Sequence, residues 1–163
     1  MVYTFSSKNR ASKFLEIELV VENNKKNTVI LQLAAWRPGR YELGNFSKNI
    51  QKFRVKKMNN QPLEFQKLTK DSWQVETKGV NKFKVVYNYY ANVLNAGSTY
   101  VDDTQIYVNP VNCCVYVVGR ENDQIKVFLN QNKTERVATG MQKTGTYFVV
   151  DNFDALADSP FIL

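Results

Sequence analysis

Alternation of apolar and polar residues is the feature that most constrains the fold of this chain. In the run from Phe14 to Glu22, every second residue from Leu15 to Val21 is a large aliphatic one. Successive side chains of a β-strand point to opposite faces, so the pattern predicts a strand with one buried face. No stretch of about ten residues has a comparable helical period. The chain is therefore expected to be all-β, with little helix.

The same alternation recurs along the chain, separated by turn residues such as Asn, Gly and Pro. Strands at intervals of about ten residues are typical of an antiparallel β-sandwich, which is the predicted fold. Because the polar run 23–27 predicts a turn, the strands on either side of it are expected to form a hairpin. Further strands are predicted at 28–36, 51–58, 63–65, 72–77, 82–91, 106–109, 113–119, 125–130 and 146–150.

The strand predicted at 82–91 is rich in aromatic residues. Phe83, Tyr87 and Tyr89 share one face with Val85, while Tyr90 lies on the other. The first face is expected to enter the core of the sandwich.

Length and charge limit the range of functions. The 163 residues fit one domain, predicted at 1–152, with 153–163 as the start of a linker. The net charge is +7, but the lysines are scattered, so no nucleic-acid partner is expected. No apolar run is long enough to span a membrane, and no signal-peptide pattern is present. The compartment stays open.

The chain contains no histidine and two adjacent cysteines, Cys113 and Cys114. A His-Glu-x-x-His zinc site, a Ser-His-Asp triad and a Cys-His pair are therefore excluded within it. Asp102 and Asp103 are adjacent in an expected extended segment and would diverge, so a paired-carboxylate mechanism is not favoured. No catalytic or metal-binding residue is predicted in this chain.

One segment, here called the signature segment, spans residues 36–46. Proline fixes φ and glycine permits a sharp turn, so the segment predicts a rigid corner. Its aromatic residues Trp36 and Tyr41 are expected to cap an edge of the core. The signature segment begins with Trp36, Arg37, Pro38, Gly39, Arg40 and Tyr41.

A long polar loop is predicted at 92–104, and it contains Tyr100, Asp102 and Asp103. Two interpretations are open for these residues. The aspartates bond local backbone amides in a solvated turn, or the loop belongs to a binding site, as long loops often do.

The chain resembles the N-terminal domain of the glycyl aminopeptidase family of zinc metallopeptidases, which have a gluzincin-type catalytic domain. The resemblance consists of ordered pieces over nearly the whole chain rather than one decisive motif. These pieces are Leu33–Tyr41, Phe46–Ile50, Trp73–Val75, Val85–Ala91, Tyr100–Asp103, Asn109–Pro110 and Phe153–Pro160.

The resemblance implies a saddle-like β-sandwich that carries no chemistry itself. It implies that zinc is held by a catalytic domain absent from this chain, and that a PDZ-like domain follows in the full-length protein. The implied substrate is a peptide with a small N-terminal residue. The implied role is to pack on the catalytic domain and shape the substrate cleft.

The resemblance also implies roles for individual residues. Arg37 or Arg40 would pair with acidic groups across the domain interface. A carboxylate of the polar loop would hold the α-ammonium of the substrate. The residues expected beside the cleft are Tyr100, Asp102, Asp103 and Asn109.

The alternative is a stand-alone β-sandwich module that binds carbohydrate or a protein partner. An exposed row of Tyr87, Tyr89 and Tyr90 would favour this alternative, because exposed rings serve as stacking platforms. A domain that belongs to a larger enzyme should instead expose an apolar patch where its neighbour docks. That patch is expected near residues 100–109 and the C-terminus, and a dimer of the isolated chain could form through it.

Overall fold

The computed structural model describes residues 1–37, 39–40, 42–130 and 136–163. Its strands are short and joined mainly by turns, as the alternation predicts. They are β1 (Val2–Ser6), β2 (Phe14–Val21), β3 (Thr28–Leu33), β4 (Ile50–Lys57), β5 (Phe65–Thr69), β6 (Ser72–Glu76), β7 (Phe83–Tyr90), β8 (Tyr100–Val101), β9 (Ile106–Val108), β10 (Val115–Val117), β11 (Ile125–Asn130), β12 (Ala138–Thr139), β13 (Gln142–Thr144), β14 (Tyr147–Val150) and β15 (Phe161–Ile162).

The described strands form three sheets. Sheet A has the order β13-β14-β11-β1-β2-β7-β4, sheet B has β10-β3-β6-β5, and sheet C has β12-β15-β9-β8. Pairing among these strands is antiparallel except between β1 and β11, which run parallel. The prediction of an all-β, sandwich-like fold with little helix is confirmed.

Alternation predicted the buried faces of the long strands correctly. Leu15, Ile17, Leu19 and Val21 of β2 are all buried, and the residues between them are half-buried. In β7 the face that carries Phe83 to Tyr89 is buried in the same way. Both strands lie inside sheet A, where one face packs on the core and the other faces solvent.

The predicted hairpin between β2 and β3 is wrong. β2 pairs with β1 and β7 in sheet A, whereas β3 pairs with β6 and β10 in sheet B. The polar run 23–27 carries the chain from one sheet to the other. The Asn24 side chain secures this crossing, donating to the carbonyl of Val80 at 2.8 Å.

Aromatic side chains join sheets A and B across the core. Phe53 of β4 stacks on Trp73 of β6, with 4.4 Å between ring centroids. The buried hydroxyl of Tyr3 donates to the carbonyl of Val115 at 2.8 Å. The hydroxyl of Tyr87 donates to the carbonyl of Cys113 at 2.6 Å and accepts from the Val115 N–H at 3.0 Å. These bonds satisfy backbone groups that are buried between the sheets.

Two short helices complete the described structure, α1 (Pro110–Cys113) and α2 (Phe153–Ala157). Pro110 stands at the start of α1, where its missing N–H costs nothing. The strand predicted at 113–119 is therefore shorter, because Cys113 ends α1 and β10 begins at Val115. Both cysteines are buried free thiols. None of the described helices has the length and apolar content needed to cross a bilayer.

Residues 153–163 pack against the sandwich. Phe153 and Leu156 of α2 are buried, and Asn152 caps the helix by accepting from the Ala155 N–H at 2.8 Å. Phe161 of β15 meets Phe5 of sheet A edge-on, at 5.1 Å between ring centroids. The boundary at 152 and the linker role of this segment stay predictions.

Candidate functional site

The described residues of the signature segment lead from the end of β3 into a 3-10 turn at Phe46–Asn49. Gly39 adopts a φ of 82°, in the left-handed region that favours glycine, and the Gly44 N–H donates to the carbonyl of Ala35 at 2.8 Å. Trp36 is 55% exposed, so the expectation that it caps the core is wrong. Pro38 and Tyr41 lie outside the described residues.

Arg37 and Arg40, predicted to face another domain, have different surroundings. Arg40 forms an exposed ion pair with Glu42 at 2.8 Å. The guanidinium of Arg37 lies against Gly97, in the space that a Cβ at that position would occupy. Arg37 can lie there only because residue 97 is glycine.

Gly97 also receives a hydrogen bond from the buried Asn112 of α1, whose Nδ2 donates to the Gly97 carbonyl at 2.8 Å. Gly97 therefore connects the signature segment, the loop before β8 and helix α1. Sequence reasoning missed both Gly97 and Asn112. A lone glycine inside a polar loop is the only signal that pointed to this contact.

The loop at 92–99 is ordered by its own polar groups. The side chain of Asn95 accepts from the Gly97 N–H at 2.9 Å, and the hydroxyl of Tyr107 donates to the Ala96 carbonyl at 3.0 Å. In spite of this order, Val93 and Leu94 are 57% and 63% exposed.

Val93 continues an apolar surface that begins in the signature segment, and the exposed Leu94 follows Val93 in the chain. Trp36 and Leu43 line one shallow depression, and Leu43 and Val93 line the next. We call Trp36, Leu43, Val93 and Leu94 the signature patch. It lies beside the region expected from the sequence rather than on residues 100–109 themselves.

Asp102 closes a local turn. Its Oδ1 accepts from the Thr104 N–H at 2.8 Å, the Thr104 hydroxyl at 2.7 Å and the Gln105 N–H at 2.9 Å, and its Oδ2 accepts from Tyr100 at 3.0 Å. These bonds, that from the Thr104 hydroxyl foremost, hold the pKa of the Asp102 carboxyl well below its usual value. The neighbouring Asp103 is exposed. The geometry is that of the solvated, locally bonded turn.

Asn109 lies apart from this turn. It precedes α1, is 8% exposed, and its N–H donates to the hydroxyl of the buried Thr99 at 3.1 Å. Asn109 lines a large groove, while Tyr100, Asp102 and Asp103 are not among the residues that line it. The structure therefore does not bring the four predicted cleft residues together at one point.

The groove lies on the outer face of sheet B and has a volume of about 960 Å³. Gln32 of β3 and Tyr116 of β10 are directly paired and lie on that face. The ring of Tyr116 packs on Phe153 of α2, at 4.4 Å between centroids, so the helix forms the second wall. Other lining residues are Ala35, Trp36 and Arg37 of the signature segment, and Val111 of α1.

A zinc site does not fit the described residues. The sequence has no histidine, and among the described residues no group of three Cys, Asp or Glu side chains could hold a metal ion. Protein zinc is held mainly by Cys and His, with carboxylates in addition. No step of metal chemistry is therefore assigned to this chain.

The sequence matches the family model of the Peptidase M61 N-terminal domain over residues 2–163. The chain belongs to this family of peptidase N-terminal domains. The match includes the signature segment, the 92–99 loop and the residues from 153 onward. Among curated proteins, none matches the sequence.

The fold is also similar to a solved structure, that of an aminopeptidase N family protein from Idiomarina loihiensis. The two share 28% sequence identity and superpose with a TM-score of 0.91. The similarity covers 99% of this chain but only 28% of the other. The chain thus corresponds to a minor part of that larger protein.

Proposed function

We propose that this chain is the non-catalytic N-terminal domain of a zinc-dependent glycyl aminopeptidase. In this proposal it packs on the catalytic domain and shapes the substrate cleft. The zinc ion belongs to the catalytic domain, a PDZ-like domain follows, and the substrate is a peptide with a small N-terminal residue. Membership of the peptidase family and the likeness to part of a larger aminopeptidase N family protein support the proposal.

The observation that carries the proposal is the signature patch. Its four large apolar residues are between 55% and 63% exposed, although they lie on loops that hydrogen bonds hold in place. Burying a large apolar side chain contributes about 1.5–3 kcal/mol. A neighbouring domain that covers the patch would therefore gain substantial stability from it.

The charged groups beside the patch add specificity to this docking. The Arg37 guanidinium lies against Gly97 and forms no ion pair with any described residue. A guanidinium that is already positioned loses little side-chain entropy on pairing with a carboxylate. We assign Arg37 as the partner of an acidic group on the catalytic domain, with Tyr100, Asp102, Asp103 and Asn109 beside the cleft.

The test is association of the 163-residue chain with a separately produced catalytic domain. Leu43→Asp and Leu94→Asp are each expected to weaken association about tenfold or more, the effect of losing over 1.4 kcal/mol at an interface. Because both side chains are exposed, the unfolding temperature of the isolated chain should stay unchanged. Calorimetry and thermal unfolding measure the two quantities.

A matched control is Met58→Asp, since Met58 is 45% exposed and follows the end of β4 that is opposite to the signature segment. It should leave association intact. Equal losses from Met58→Asp and Leu94→Asp, or no loss from either patch variant, would contradict docking through the signature patch.

The alternative of a stand-alone carbohydrate-binding module gains no support from the aromatic strand. Tyr87 and Tyr89 are 0% and 2% exposed, and of the three tyrosines only Tyr90 has a substantially exposed ring. A stacking platform needs accessible ring faces.

A further inference from the structure

The groove beside α2 has an apolar floor and an acidic rim. Val111 and the Tyr116–Phe153 ring pair provide apolar surface, and Val118 is 40% exposed. Three carboxylates and a single guanidinium line the same groove. The acidic residues are Glu121, Asp154 and Asp158.

The groove is therefore rich in negative charge, although the net charge of the chain is +7. Within the described part of the chain, none of the three carboxylates forms an ion pair. Glu121 accepts one hydrogen bond, from the Gly119 N–H at 2.9 Å, and Asp154 and Asp158 are exposed. Their charge is therefore available to a partner.

The hydroxyl of Tyr116 is affected by the same negative charges. Burial, followed by the charges of Glu121, Asp154 and Asp71, raises the pKa of its hydroxyl. Tyr116 lies at the floor of the groove, so the negative potential reaches the apolar surface as well as the rim.

We infer that this groove binds an extended peptide segment that carries Lys or Arg side chains, and that the segment belongs to the polypeptide substrate beyond its N-terminal residue. The binding follows from the groove alone, whereas its assignment to the substrate rests on the proposed function.

The geometry suits an extended chain with alternating character. Asp154 and Asp158 are four residues apart on one helical turn, joined by the Asp158 N–H to Asp154 carbonyl bond at 3.0 Å. Side chains so placed are about 5–6 Å apart at Cβ, which is close to the spacing of about 7 Å between alternate residues of a strand. Basic residues at alternate positions can thus meet the rim while the residue between them covers the floor.

The exposed indole of Trp36 strengthens this preference. In the isolated chain it lines the groove next to the floor residues and is available to an apolar side chain or to a cation over its ring.

The probe is a fluorescent peptide, Gly-Leu-Lys-Leu-Lys-Gly, compared with its counterpart in which glutamate replaces lysine. Fluorescence anisotropy with the 163-residue chain is expected to show binding of the lysine peptide only, weakening as salt is added. Each of the variants Glu121→Gln, Asp154→Asn and Asp158→Asn should weaken binding about two- to fivefold, and the triple variant about tenfold or more.

Glu64→Gln is the matched control, because Glu64 is an exposed carboxylate outside the groove. It should bind the lysine peptide as tightly as the unaltered chain, and thermal unfolding checks that every variant is folded. Equal binding of the two peptides, or unchanged binding by the triple variant, would overturn the inference.

Assignment to the substrate is tested separately in a protein that also carries the catalytic domain. There the triple variant should raise KM for a lysine-containing peptide while leaving KM for glycine amide unchanged. An unchanged KM for both, with peptide binding still lost, would overturn the substrate role. Failure of the signature-patch variants to affect domain association would count against the proposed function alone, since the groove variants do not alter that patch.

Discussion

The segment at 99–115 and the signature segment lie side by side but differ in where their side chains make contacts. Polar side chains of 99–115 form hydrogen bonds within the domain, whereas apolar side chains of the signature segment are exposed to solvent. In 99–115, Asp102 bonds its own turn, Thr99 bonds Asn109, and the C-terminal end of α1 bonds the Tyr87 hydroxyl. In the signature segment, Trp36 and Leu43 are more than half exposed.

The difference separates two kinds of unusual sequence. A polar residue whose hydrogen bonds are all local stabilises its own turn, even when its residue type is one that often occurs in binding sites. An apolar residue that an ordered loop leaves in solvent has no such explanation within the domain. Tyr87→Phe and Asp102→Asn remove hydrogen bonds within the domain, whereas Gly97→Ala displaces Arg37 of the signature segment.

The largest effect on stability is expected from Tyr87→Phe. Loss of the hydroxyl leaves the Cys113 carbonyl and the Val115 N–H buried without partners, at a cost of about 2–3 kcal/mol. Urea unfolding at neutral pH measures the free energy of unfolding. Tyr90→Phe is the control, because its exposed ring lies on the other face of β7; equal losses would show that the bonds to 113–115 matter little.

A smaller, pH-dependent effect is expected from Asp102→Asn. The folded-state pKa of Asp102 is depressed, so its contribution to stability is full above the unfolded value of about 4 and is lost as the pH falls below it. The variant should have a lower free energy of unfolding than the unaltered chain at pH 7, and this difference should become smaller in acid. Unfolding in urea across a pH series measures this difference.

Asp103→Asn is the natural comparison, since Asp103 is exposed and should show no such difference. If Asp102→Asn instead left the free energy of unfolding unchanged but abolished peptidase activity in a protein that also carries the catalytic domain, the turn would be part of a binding site. The contrast between the two segments would then fail.

The smallest effect on stability is expected from Gly97→Ala. The new methyl group meets the far end of the Arg37 side chain, which can move away, so the free energy of unfolding should change by no more than about 0.5 kcal/mol. Association with a catalytic domain should nevertheless weaken, because Arg37 leaves its place. Arg37→Ala should weaken association equally, and additive losses in the double variant would show that the two residues act independently.

The sequence predicted the buried faces better than it predicted the partners of the strands. Alternation fixes which side of β2 is apolar, because side chains in a strand repeat every two residues. It does not decide whether the chain turns back or crosses to another sheet, which is why the hairpin with β3 was wrong. The turn at Asp102 was predicted as one of two interpretations, because its hydrogen bonds are local.

The groove could not be predicted in the same manner. Its walls come from β3, β10 and α2, which are distant in sequence and meet through the pairing of β3 with β10 and the packing of Phe153 on Tyr116. Arg37 and Gly97 are likewise distant in sequence and come into contact only in the folded structure. Nothing in the sequence near Asp154 marks it as part of an acidic rim.

The parallel partnership of β1 and β11 has a consequence for how the molecule is made. Residues 2–6 leave the ribosome well before residues 126–130, which form one of their two neighbouring strands. Until that distant strand emerges, the centre of sheet A has an open edge, and the nascent chain must keep its first strand from pairing elsewhere. Most of this domain is therefore synthesised before its central sheet can close, which makes folding of the domain a late event.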